Sequence, residues 1–352
     1  MYSTKIKAAV AISTFTVLLS FLTISPATSH SSLLSEKTSS AATVVTMLPQ
    51  SDAVIRFDSE RFFSQSLPQL LSGTPERFAE MDKIVNQVRA QTGIDLKQFD
   101  EVVIGMSARE TRPNETEYEP IIAARGKFSS DALVGLVAIA SNGKYRQEQI
   151  GQRVVYIFSP SEMIQKNKPT GGNFMSDLLG SALETLDREV ALTAFDQNTL
   201  VLGATSRVRQ MLSTGPRVSA EMLAKINSSA NTLMSFAIKS PTGMNQYLKL
   251  EQDTLGRNLS AVRFISGSID AANSNVTLSL SARMSTITEA TSMKQTLDGF
   301  KMFLPGVLAS GRSQGNQVLG RALQNLRLTR VGSTVSADLT VPQSEIDVLL
   351  KK

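Results

Sequence analysis

Three arginines each close a stretch of small or apolar residues. Arg109 ends "VVIGMSAR", Arg125 follows "PIIAA", and Arg283 follows "SLSA". A guanidinium at a strand end offers a fork of donors matched to carboxylate or phosphate, so these three form a candidate rim for an anionic ligand. The competing expectation is an ion pair with a neighbouring acid or plain solvation. Asp52, Asp58, Glu60, Asp95, Asp100 and Glu101 could supply the paired carboxylates that acid–base hydrolysis needs. Helix capping is the other use of such acids: Asp58 precedes an expected helix, and Asp95-Leu-Lys-Gln98 reads as a capping turn. Ser141 and Lys144 have S-x-x-K spacing, yet the intervening Asn142-Gly143 marks a turn, and a Ser/Lys nucleophile needs a helix start. "PTGGNF" lacks the Gly-Lys-Ser/Thr of a phosphate loop. "SGSIDAANSN" has no calcium-loop spacing and reads as a polar hairpin turn.

The chain has no Cys, no Trp and a single His, His30, among 352 residues. Disulfides, thiolate metal sites and thiol nucleophiles are thereby excluded, and a Ser-His-Asp triad has no histidine in the folded body. No catalytic, cofactor-binding or metal-ligating residue is assigned, no cofactor is expected, and the chain is expected not to be an enzyme. The 36 Lys and Arg against 31 Asp and Glu give +5, with no basic run of the kind that tracks a phosphate backbone, so no nucleic-acid partner is expected.

The elements that would position these residues begin after a targeting segment. Lys5 and Lys7 precede an uncharged, largely apolar stretch from Ala8 to Ile24. Pro26 then breaks it, and small residues lead to a possible cleavage site after Ser29. Residues 1–29 are read as a signal peptide or an uncleaved N-terminal membrane anchor, and the membrane is expected to be met only through them. An exported chain of this size without cysteine suits a bacterial periplasm or cell envelope. Residues 30–50, rich in Ser, Thr and Ala, read as a flexible spacer.

Two α+β units follow, over 51–230 and 231–352. In each, strands, turn signals and helix caps spell β-α-β-β-α-β-β, whose first six elements are in ferredoxin-like order. Mainly antiparallel sheets with helices on one face are expected. "IIAARGKFSSDAL" is echoed by "LSLSARMSTITEA", and the hairpin "IGQRVVYIFSPSEM" by "VGSTVSADLTVPQSEI". The first unit carries an extra hairpin, "VALTAFD" with "TLVLGA", and helices are expected at Met175–Leu186 and from Pro241 to about Leu255. On the long helix after Thr286, Met293, Leu297, Phe300 and Phe303 are spaced to face inward, and Pro305 should end or bend it.

Strand faces separate the units. Val276, Leu278, Leu280, Ala282 and Met284 alternate with Thr277, Ser279, Ser281 and Arg283, giving one apolar and one hydroxyl face. "VVIGMSA", "PIIAARG" and "VVYIF" are apolar on both faces, so that sheet must be covered by the second half or by a partner.

"LPQSDAVIRFDSERF", "TGIDLKQFDEVVIG", "EPIIAARGKF", "NTLVLGATSRVR" and "VRFISGSI" resemble stretches of uncharacterised bacterial exported or membrane-anchored proteins. The resemblance implies no activity and no site residue. The function expected is that of a non-enzymatic envelope protein that binds a protein partner, or itself, through its sheet faces. The alternatives are a carrier of a small apolar or amphipathic ligand and, behind it, a carboxylate-based hydrolase.

Overall fold

The computed structural model describes residues 41–112, 115–141, 143–159, 189–240, 258–309 and 313–350. The targeting segment with Ser29, and the helices expected at 175–186 and 241–255, lie outside the described residues. The elements in chain order are α1 (Ala41–Met47), β1 (Ala53–Asp58) and α2, made of Ser59–Arg61, a π-wound Phe62–Ser66 and Leu67–Leu71. They continue with α3 (Pro75–Thr92), β2 (Phe99–Arg112), β3 (Glu115–Gly126), α4 (Ser130–Ala140), β4 (Arg146–Ile150), β5 (Arg153–Phe158), β6 (Val190–Asp196), β7 (Thr199–Ala204) and α5 (Thr205–Leu212). The remainder are α6 (Ala220–Asn227), β8 (Met234–Lys239), β9 (Val262–Ala272), β10 (Asn275–Met284), α7 (Ile287–Ala309), α8 (Gln314–Gln324), β11 (Arg327–Val331), β12 (Thr334–Pro342) and α9 (Gln343–Leu350).

Two compact units result. Over the described residues the first holds 41–60 and Glu80–Leu223, the second Arg61–Ala79 and Ala224 onward. Residues 61–79 belong with the second unit. Arg61 Nη2 and Asp270 make an ion pair at 2.9 Å, and the Ser66 hydroxyl donates to the Ala271 carbonyl.

In the first unit the strands lie in the order β1-β2-β3-β7-β6-β5-β4, and in the second β8-β9-β10-β12-β11, every neighbour antiparallel. With β6 and β7 set aside, both orders are first, second, third, fifth, fourth. The protein is α+β with antiparallel pairing, but the pairing is not the ferredoxin-like one. There the third strand lies between the first and second, whereas here the first pairs directly with the second. Two successive helical segments, α2 and α3, separate β1 from β2 along the chain. The chain therefore re-enters at the end it left, which makes the next strand an antiparallel neighbour.

The hairpin turns follow from residues that tolerate positive φ. Gly151 (φ 59°) and Gly332 (φ 57°) open the turns of β4–β5 and β11–β12, and Asn273 and Ser274 (52° and 57°) form that of β9–β10. Caps fall where expected. The Ser129 hydroxyl accepts from Ala132 N, the Thr286 hydroxyl accepts from Glu289 N at 3.2 Å, and Asp95 accepts from Lys97 N.

Several expectations are corrected. β2 and β3 extend further than their apolar stretches and pair out to Arg112 and Glu115, with oppositely charged residue types in register at Arg109 and Glu117. Residues 41–50 are not a spacer. Val44, Val45 and Leu48 are fully buried, because an apolar ridge close to the sheet gains more from burial than from hydration. Helices do not keep to one face in the first unit. Side chains alternate along strands, so Gly105, Ile121, Gly203 and Ala191 share one face and Ile122, Leu202 and Leu192 the other. On the second of these faces α4 packs Val134 against Phe158 and Leu192. On the first, Leu48 and Ser51 lie directly over Gly105, and Arg207 of α5 reaches the Ser51 hydroxyl. The doubly apolar strands are therefore covered within their own unit.

In the second unit α7 lies on the face of Ile265, Ala282 and Val335, with Ala290 and Met293 buried there and Leu297 packed beside them. Asn258 ties to it through Ser292 and Thr296. Pro305 does not stop α7, which runs on to Ala309. Phe300 and Phe303, expected inward, are 39% and 69% exposed. From residue 299 onward Lys301 is the one charged residue among apolar residues on every side of α7, so periodicity alone cannot choose its buried face.

Candidate functional site

The densest arrangement of charge in the first unit lies at one end of its sheet. Register sets Asp58, Glu101, Arg125 and Thr199 side by side on four adjacent strands, and alternation puts them on one face. Arg56 and Glu101 are both buried, and Arg56 Nε donates to Glu101 Oε1 at 2.6 Å, while an Arg56 Nη2 lies 3.5 Å from Asp58. Burial pushes the Glu101 carboxyl up from its ordinary 4.5 to about 6, against the pull of the Arg56 and Arg125 charges. The carboxylate is thus poised to titrate close to neutrality.

Arg125 donates from Nε to the Thr199 hydroxyl at 3.1 Å and pairs with Asp196 at 3.7 Å. Lys127 bonds Glu60 at 2.8 Å and lies 3.5 Å from Asp100; both carboxylates hold its ammonium above the usual range, Glu60 first. The β6–β7 turn is clamped to the end of β3. Gly126 N donates to the Asn198 carbonyl, and the Asn198 amide donates to the carbonyls of Gly126 and Phe128. A side chain at Gly126 would place its Cβ 2.1 Å from the Gln98 carbonyl, so only glycine admits this approach.

Asp100, Arg125, Gly126, Lys127, Asp196, Gln197 and Asn198 line an open concavity of about 620 Å³. Its two cations are already matched by carboxylates, so an anionic ligand would have to displace Asp196 from Arg125 and Glu60 and Asp100 from Lys127. Glu101 lies behind this wall and does not line it.

The expected rim does not converge. Arg109 and Glu101, the partner of Arg125, are eight residues apart on β2, about 27 Å along the strand. Arg109 pairs with Glu119 at 3.3 Å. Arg283 belongs to the second unit, its guanidinium 5.8 Å from the Phe264 ring centre. Ser141 ends α4 rather than starting a helix, and its hydroxyl donates to the Ala138 carbonyl. Asp52 accepts from Ala108 N and Asp95 caps its turn. Among the described residues no group of three or more acidic or histidine side chains is placed to hold a metal ion. Sequence reading missed the Arg56–Glu101 pair. Its only local sign was a charge inside each of two apolar strands, "VIRF" and "DEVV".

This is the architecture of a two-unit antiparallel α+β protein, the first unit filled on both sheet faces and the second lined with hydroxyls on one. No family model matches the chain, and no curated protein does. Among solved structures it is similar to TP0453 in crystal forms I, III and IV. The identities are 9%, 9% and 10%, the coverage 87%, 87% and 88% of this chain and 95%, 96% and 96% of that one, and the TM-scores 0.43, 0.41 and 0.42.

Proposed function

We propose that the chain is a non-enzymatic envelope protein, exported by or tethered through its N-terminal segment, that binds a protein partner or a second copy through the hydroxyl-lined sheet face of its second unit. The observation that carries the reading is the set of cross-strand rows on that face. Ser268, Ser279 and Asp338 form one row and Ser281 and Ser336 the next, which continues to the buried Ser266, with Thr277 and Thr340 beside them. The Ser279 hydroxyl donates to Asp338 at 2.7 Å, and the hydroxyls of Ser281 and Ser336 are 2.8 Å apart. Such a surface is flat, pre-ordered and able both to donate and to accept, which suits a protein contact with satisfied polar groups. The apolar faces of the first sheet are no longer available for this role, since α1, α4 and α5 occupy them. The charged lining of the concavity gives an apolar carrier no purchase.

The repeated strand order and the matched glycine turns at Gly151 and Gly332 support reading the two units as copies of one β-α-β-β-α-β-β unit. The test of function is a photo-crosslinker at Ser281 of the full chain in its host envelope. One recurring adduct is expected, lost in S279R/S336R. No adduct, or the same adducts from a crosslinker at Ile139, would refute the reading.

A further inference from the structure

The second unit exposes an apolar helical face that none of its described elements covers. On α7 the side chains of Met302, Phe303 and Val307 are 86%, 69% and 48% exposed and Phe300 is 39% exposed, with Gly299 and Gly306 exposed between them. At 100° per residue these six positions span an arc of roughly 160°, and none carries a polar side-chain atom. Pro305, buried, and Lys301, half-buried, lie on the opposite side. Four large apolar side chains on one face exceed the scattered exposure that soluble surfaces show.

Charge indicates the occupant. Residues 224–352 contain 14 Lys and Arg against 8 Asp and Glu, while the whole chain has 36 against 31, so the positive excess belongs to this half. Within residues 287–330 the sequence imbalance is larger, Lys294, Lys301, Arg312, Arg321, Arg327 and Arg330 against Glu289 and Asp298, with Lys294 paired to Asp298 and Arg321 to Glu345. A second copy meeting the first through this face about a two-fold axis would set these basic elements against themselves. An anionic lipid surface matches both features, taking Phe and Met into the headgroup–acyl boundary and the cations at the headgroups. Among the described residues no helix is long and apolar enough to cross a membrane, and the arrangement needs none that does.

We propose that residues 299–307 of α7 form a membrane-surface site that inserts its apolar face into the interface of an anionic bilayer. The site is separate from the hydroxyl face and from the N-terminal segment. The chain has no cysteine, so F303C in the full chain takes a single environment-sensitive fluorophore. With vesicles of phosphatidylcholine and phosphatidylglycerol, the label should shift to the blue and be quenched by nitroxide lipids. The shift should weaken as salt is added, and should be lost in F303C carrying M302D and V307D. I139C, on the exposed face of α4, controls for general adsorption and for insertion by the N-terminal segment, and its label should stay in water. Water-like emission at position 303 beside anionic vesicles overturns the proposal. So does equal burial of the label at 139. A shift without lipid that grows with protein concentration assigns the face to a second copy and overturns it likewise. Unchanged far-UV circular dichroism of each variant keeps a folding defect from being read as lost binding.

Discussion

Glu101 gives the sharpest test of the charged row. Its carboxyl titrates near 6 in the folded protein and near 4.5 when the chain is unfolded, because burial outweighs the attraction of Arg56. A folded-state value above the unfolded one means that the native protein holds this proton more tightly. The group's contribution to stability is therefore fully present below about pH 4.5 and is lost as pH rises through about 6. The gap corresponds to about 2 kcal/mol at about 1.4 kcal/mol per pH unit. Both partners are almost wholly buried, so solvent screening removes little of it. Glu101→Gln mimics the protonated form at every pH and should abolish this term. The stability of the wild type relative to the variant should fall by about 2 kcal/mol between pH 4.5 and 7. Urea unfolding of both chains across that range, followed by circular dichroism because there is no Trp, gives the difference directly. Carboxylates held below their usual range by arginines, Glu148 by Arg209 and Glu345 by Arg321 among them, lose their contribution only as pH falls through those lowered values, outside this window. A difference that stays constant with pH would show that Glu101 is not desolvated as the structure has it, and would refute the reasoning.

Four further outcomes are expected. Gly126→Ala should cost about 3 kcal/mol in chemical unfolding, since its Cβ meets the Gln98 carbonyl at 2.1 Å, whereas Gly135→Ala, with nothing within 4 Å in mid-helix, should stabilise by about 0.5–1 kcal/mol. Leu48→Ala should cost about 2–5 kcal/mol if residues 41–48 are core; a loss within a few tenths would return them to a spacer. Thr286→Ala removes the cap that accepts from Glu289 N and should lower the unfolding free energy by about 1 kcal/mol.

What could be read from the sequence was local. Ser129, Thr286 and Asp95 announce helix starts because a short polar side chain there reaches an amide two or three residues on. The turns at Gly151, Gly332 and Asn273-Ser274 need positive φ, which few residue types supply. What could not be read depends on partners far along the chain. Arg56 and Glu101 are 45 residues apart, and nothing near either announces the other. "ATVVTM" has poor helix propensity, and α1 exists because Val44, Val45 and Leu48 find a sheet to cover. The end of α7 failed for the opposite reason: with Phe300, Met302, Phe303, Leu304 and Val307 at hand, any face could have been the buried one.

The two units also show why one sheet is apolar on both faces and the other is not. In each, the helix after the third strand, α4 or α7, packs on the face opposite the strand's terminal arginine, Arg125 or Arg283. The other face of the first sheet is covered by α1 and α5. One precedes the first strand, and the other follows the inserted β6–β7 hairpin. Under that cover the strands carry Val103, Ile121, Ala123 and Val201; the matching face of the second sheet carries the half-buried Ser268, Ser279 and Ser281. An uncovered apolar face would be an aggregation liability, and hydroxyls remove it at little cost to strand propensity. Surroundings of the same kind left α7 with a different outcome. Its last turns are covered by no described element yet stay apolar, although replacing Met302 and Phe303 by polar residues would cost little packing among the described residues. Apolar residues kept where the fold does not need them point to a contact outside the chain, and the basic residues flanking them give that contact its charge.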